Sequence, residues 1–185
     1  MAEDKDIVDV LLEDHEEFRT LFEEVRGADE EDRDDLFRYL VGRLASHEAA
    51  EEALVHKALR DEVEGGREVA EAVLEEEASA EERLARMSKK DEWDQEFVQD
   101  LNGLEQQVLA HADHEEKEEF PLLRQHLSRE RRVELADRFV LVRDTGPTRP
   151  HPGTPQTPEV RAAAGPIAGM FDRARDTARS ILPGG

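Results

Sequence analysis

The chain has 185 residues and no cysteine, and its 47 acidic against 25 basic side chains give a formal net charge of −22. Disulfides, thiolate metal sites and cysteine nucleophiles are excluded, so any metal has to be held by nitrogen and oxygen. An acidic surface repels phosphates and gains nothing from counterion release, which argues for a hydrated exterior and against a nucleic-acid partner.

The opening Met1-Ala2-Glu3-Asp4-Lys5-Asp6 is acidic and has no apolar segment. No stretch approaches the roughly 18 apolar residues of a membrane span, so a cytoplasmic protein without membrane contact is expected. Helical periodicity dominates to about residue 142 and alternating β-branched stretches are missing, which predicts an all-α body. In the first segment Ile7, Val8, Leu11, Leu12, His15, Phe18, Leu21, Phe22 and Val25 recur at threes and fours, and Gly27 supplies a stop. The second, over residues 31–62, places Leu36, Leu40, Leu44, His47, Glu51, Leu54 and Ala58 on one face and ends before Gly65-Gly66.

The third segment, residues 67–87, carries Val69, Val73, Leu74, Ala80, Leu84 and Met87 on its buried side, with Glu77 in the same stripe. The fourth starts near Asp91 and steps through Trp93, Phe97, Leu101, Leu104, Val108, His111 and Glu115. Pro121 is expected to kink or restart it, leading to a shorter stretch through Leu135, Phe139 and Val142. Long amphipathic helices with short connections imply an antiparallel up-down-up-down four-helix bundle over residues 1–143. Residues 144–160, rich in Pro, Gly and Thr and including His151, read as an extended linker. Residues 161–185 form a weakly amphipathic tail expected to pack on the bundle or on a protein partner rather than on a membrane.

A buried imidazole or carboxylate without a partner costs several kcal/mol, so a series of them at one depth is a signal. His47-x-x-x-Glu51 and His111-x-x-x-Glu115 each stack both side chains on one helix face about one turn apart. In an antiparallel bundle the levels of His15, His47, Glu51, Glu77, His111 and Glu115 coincide, and six inward donors of this kind can surround two metal ions. Nitrogen and oxygen donors without sulfur suit non-heme iron, with manganese and zinc as competitors. His56 is a weaker candidate ligand: ideal geometry puts it about half a turn from the face of His47 and Glu51, toward the surface, unless a π-bulge or a helix end near Leu54 swings it inward. His114 and His126 fall off the stripe and read as surface residues.

These residues resemble the hemerythrin-like proteins with HHE cation-binding domains. The family's pattern is a lone His on the first helix, H-x-x-x-E on the second, a His on the third and H-x-x-x-E on the fourth, often followed by Glu and then Phe-Pro. Glu13-Asp14-His15, His47-Glu-Ala-Ala-Glu51-Glu52, and His111-Ala-Asp-His-Glu115-Glu116 with Phe120-Pro121 match three of the four parts over roughly residues 5–125. The third helix has no histidine; Glu77 stands where the family's His would fall, with Glu76 and Glu81 as neighbours, and His56-Lys57 stands where relatives often have Tyr-Pro.

The resemblance implies a di-iron centre with O2, hydrogen peroxide or nitric oxide as its small-molecule partners. A carboxylate-rich donor set stabilises ferric iron and disfavours reversible O2 binding, so peroxide turnover of a catalase-like kind is put first. A non-catalytic iron-sensing module and a metal-free helical interaction protein are the competing readings.

Overall fold

A computed structural model of the chain describes residues 5–87 and 93–145, except for the side chains of 72–79 and 81. The described residues form five helices: α1 (Ile7–Gly27), α2 (Glu30–Glu62), α3 (Gly66–Met87), α4 (Gln95–His126) and α5 (Arg129–Thr145). The all-α expectation holds. Residues 146–185, with most of the expected linker, His151 and the whole tail, lie outside the described residues, although α5 continues two residues past the boundary expected at residue 143. Among the described residues no helix is long and apolar enough to cross a membrane.

Local signals fix the helix ends. The Asp6 carboxylate accepts from the backbone N–H groups of Val8 and Asp9 while the Asp9 side chain accepts from the Asp6 N–H, a reciprocal cap on α1. Asp94 caps α4 by accepting from the Phe97 N–H at 2.7 Å, which leaves Trp93 just outside the helix rather than within it. The turn between α2 and α3 requires its glycines. Gly65 has a φ of +79°, and a Cβ on Gly66 would sit 2.3 Å from the Leu59 carbonyl oxygen.

Pro121 neither ends nor restarts α4, which runs on to His126; the break comes at Leu127, and the Ser128 hydroxyl accepts from the Arg131 N–H as α5 begins. Pro121 itself is exposed, whereas Phe120, Leu123 and Leu127 on either side of it are buried, so packing holds the segment helical despite the missing donor.

Hydrogen bonds and ion pairs give the helix directions. Tyr39 with Glu17 and His47 with Asp14 run α2 antiparallel to α1; Arg26 with Glu105, His15 with Glu116 and Arg124 with Asp9 do the same for α4. Arg132 with Asp6 and Arg143 with Asp14 lay α5 parallel to α1, and α5 also packs along α2. α3 packs against α2 and α4.

Two apolar clusters fill the interior. One holds Phe18, Phe22, Leu40, Leu44, Leu84, Phe97 and Leu104; the other holds Ile7, Leu11, Val55, Leu59, Phe120, Leu123, Leu135 and Phe139. Full burial of such a side chain is worth about 1.5–3 kcal/mol, so both clusters are substantial. Along α1, α2 and α4 the chain passes from one cluster to the other through a stretch in which the buried positions are polar.

Candidate metal centre

That stretch is a layer of buried charge. His15, His47, Glu51, His111 and Glu115, five of the six ligands expected from the sequence, are buried there and lie side by side. The sixth, Glu77, lies outside the described side chains, as do Glu76 and Glu81. Helix period explains the gathering: α2 presents His47 and Glu51, α4 presents His111 and Glu115 one turn apart, and antiparallel α1 brings His15 to the same level.

The distances are those of a compact donor set. His47 Nε2 lies 3.0 Å from Glu51 Oε2, His111 Nε2 lies 3.2 Å from Glu115 Oε1, and His15 Nε2 lies 3.3 Å from Glu115 Oε2. The His15 and His47 rings are 5.6 Å apart. Phe18, Phe120 and Phe139 stand against these imidazoles and close the layer above and below.

Carboxylates behind two of the imidazoles fix their orientation. His47 Nδ1 donates to Asp14 at 3.0 Å and His15 Nδ1 donates to Glu116 at 3.0 Å, which leaves each Nε2 facing the layer. Asp14 is itself held by Arg43 and Arg143, and Glu116 by Arg19. Burial pushes the Asp14 carboxyl upward, but its hydrogen bond and charge contact with His47, followed by Arg143, outweigh it and bring the group to about 2.

Two further residues belong to the layer. His56 is wholly buried, not at the surface where ideal geometry put it, and α2 reaches it without a π-bulge or an early end. The reason is that α2 has no solvent face here. From Ala50 to Leu59 only Lys57 is exposed, because α1, α3, α4 and α5 all pack against this helix. Glu119, one turn beyond Glu115 on α4, is also wholly buried and was not foreseen; its spacing after His111 and Glu115 was the available signal, concealed within an acidic run. Half-buried Glu48, one residue after His47, reaches to 3.8 Å from His111. His126 is exposed as expected, whereas His114 is half-buried.

The electrostatics are those of a site short of positive charge. Both oxygens of Glu51, Glu115 and Glu119 are buried and receive no well-directed hydrogen bond from the described residues. Burial lifts Glu119 to about 8, and His56 offsets that only in part. Burial tends to lower His47 and His15, but neighbouring carboxylates, Glu51 with Asp14 for the first and Glu115 for the second, hold both above the ordinary imidazole value. One ligand atom from each of Glu51, His56, Glu115 and Glu119 lies within 4.8 Å of the others, and Glu48, Glu51 and His111 form a second such group. Orphaned buried carboxylates beside oriented imidazoles, with no sulfur present, fit a borderline or hard transition cation such as iron or manganese.

Comparison with known proteins agrees with this geometry. Residues 6–123 match the hemerythrin HHE cation binding domain. The chain is similar to an uncharacterized hemerythrin-like protein of Schizosaccharomyces pombe, with 28% identity over 172 residues, 92% of this chain and 85% of the yeast protein. No solved structure matches it.

Proposed function

We propose, for a chain that belongs to the hemerythrin HHE cation-binding domain family, that the buried layer holds two iron ions and that the protein senses or processes O2, hydrogen peroxide or nitric oxide, peroxide first. The observation that carries this reading is the set of buried carboxylates, Glu51 and Glu115 above all, which face imidazoles at 3.0–3.3 Å yet receive no well-directed hydrogen bond from the described residues. Natural cores leave few such groups, because each one uncompensated costs several kcal/mol.

His15, His47 and His111 would hold the ions through Nε2, and Glu51 and Glu115, each within reach of more than one imidazole, would be shared between them. Iron held there supplies electron exchange with small oxidants. The protein's part is to orient and to exclude. Asp14 and Glu116 fix two imidazoles in the tautomer that leaves Nε2 inward, and the flanking phenylalanines restrict the site to small molecules and keep bulk water away. The abundance of carboxylate favours the ferric state and so supports peroxide processing over reversible oxygen carriage.

Iron content of protein expressed with ample iron and purified without a chelating tag tests the centre. About two irons per chain are expected, as in other bundles with inward Glu and His sets; folded protein that takes up none removes this reading. With the metal in place, peroxide decay faster than that of the chelated protein is the expected second result. Reversible oxygenation without peroxide turnover would replace it with oxygen carriage.

A further inference from the structure

A wholly buried carboxylate without a well-directed hydrogen bond serves the fold poorly, and Glu119 is such a group. Neither Glu119 oxygen accepts a hydrogen bond from a described residue. Its Oε2 lies 3.6 Å from His56 Nε2, and the same nitrogen lies 3.9 Å from Glu115 Oε1. The four side chains Glu51, His56, Glu115 and Glu119 each place one ligand atom within 4.8 Å of all the others. Small rotamer shifts close such a spread onto one ion with metal–oxygen and metal–nitrogen bonds of about 2.0–2.2 Å.

Glu115 shows how this position relates to the rest of the layer. Its Oε1 faces His56 and His111, while its Oε2 faces His15. A carboxylate whose two oxygens address different imidazoles is arranged to join two ions.

Building on the di-iron reading above, we propose that His56 and Glu119 are metal ligands, which with Glu51 and Glu115 form one of two unlike cation positions. This position has one imidazole and three carboxylates and suits a hard or borderline divalent ion, Mn2+ or Fe2+. The other draws on His15, toward Glu115 Oε2, and on His47, with His111 beside the Oε1 that also faces His56, and is richer in nitrogen. The pairing makes structural sense of two buried groups together: a carboxylate on α4 and an imidazole on α2, two helices that meet at this level.

The test is metal content and Mn2+ affinity of the full chain in the wild type, Glu119→Gln, His56→Gln and Glu119→Leu, with the unfolding midpoint of each chelated protein measured alongside. The wild type is expected to hold two ions, and each variant about one, with the affinity for the lost equivalent falling about tenfold or more. The chelated glutamine variants should unfold at the wild-type midpoint, and chelated Glu119→Leu at the same midpoint or higher, since carbon replaces a buried carboxylate that lacks a well-directed hydrogen bond. Two ions bound with wild-type affinity in both glutamine variants overturn the proposal. If those variants do not fold, Glu119→Leu carries the same reading, and its collapse in the chelated form would make Glu119 a structural residue, which also overturns it. Wild-type protein that binds no metal removes the di-iron reading itself, a result distinct from two ions persisting in every variant.

Discussion

His47 Nδ1 lies 3.0 Å from Asp14 Oδ2, a contact from the second helix back to the residue just before His15 on the first. Asp14 is buried and is gripped in turn by Arg43 and Arg143, so the imidazole is oriented by a carboxylate that two guanidinium groups hold in place. Asp14→Asn keeps the shape but can present an amide N–H to Nδ1, which favours the opposite tautomer and turns an N–H toward the layer. Loss of such a supporting carboxylate commonly lowers metal affinity about 10- to 100-fold. Competition against a chelator of known affinity measures it; unchanged affinity would show that Asp14 only anchors the two arginines.

His47→Leu combined with His111→Leu separates a metal centre from a polar core that satisfies itself. A ligand present at about 1,000 times its Kd stabilises the folded state by about 4 kcal/mol. Wild-type protein should therefore lose a large part of its unfolding midpoint on chelation, and the double variant should show almost no difference with and without chelator. A double variant more stable than the wild type under iron-replete conditions would favour the metal-free interaction protein.

Phe139 ties α5 to the rest of the molecule. It is fully buried in the cluster with Leu59, Phe120 and Leu135, and its ring stands edge-on to His47 at 5.6 Å. Phe139→Ala should cost about 3–5 kcal/mol, the usual range for a large aromatic truncated in a core. Urea unfolding reads this directly. A cost below about 1 kcal/mol would mean that α5 adds little to the bundle.

The Asp6 cap sets a dependence on acid. Burial pushes the Asp6 carboxyl upward, but the Arg132 guanidinium and the N–H groups of Asp9 and Val8 outweigh it and hold it below its ordinary value of 3.8. A depressed folded-state value adds stability that is complete above the unfolded value and fades as pH falls through the folded one. Asp6→Ala should then cost about 0.5–2 kcal/mol near neutrality, with the gap from wild type steady down to about pH 5 and narrowing below about pH 4. Unfolding curves at pH 7 and pH 3 check the sign, and a gap that widens in acid contradicts the assignment.

The elements and the gathering of His15, His47, Glu51, His111 and Glu115 in one buried layer were legible because helix periodicity is local. His47 with Glu51 and His111 with Glu115 announce a shared face by spacing alone, and the apolar residues before and after them place that face in the interior. His56 was misplaced because the single-stripe argument assumes a helix with a wet side. Around His56, α2 has none, a property of the four helices packed against it rather than of its own sequence. Glu119 followed the right spacing but stood among Glu115, Glu116 and Glu118, where a solvated face is the ordinary reading. Pro121 suggested a break that tertiary packing overrides, and the true stop at Leu127 has only Ser128 to mark it. Asp14 and Glu116 stood inside the quoted motifs, but their orienting of two imidazoles depends on contacts between helices that spacing along one helix does not reveal.

The charged layer also divides the molecule mechanically. The two apolar clusters are separate, and the aromatic contacts of His15 with Phe18 on one side and Phe120 on the other span the gap. Cohesion across that waist depends on groups whose charge changes with pH and with a bound cation, whereas cohesion within each half depends on packed carbon. The bundle is thus built as two oily ends joined by an ionic seam.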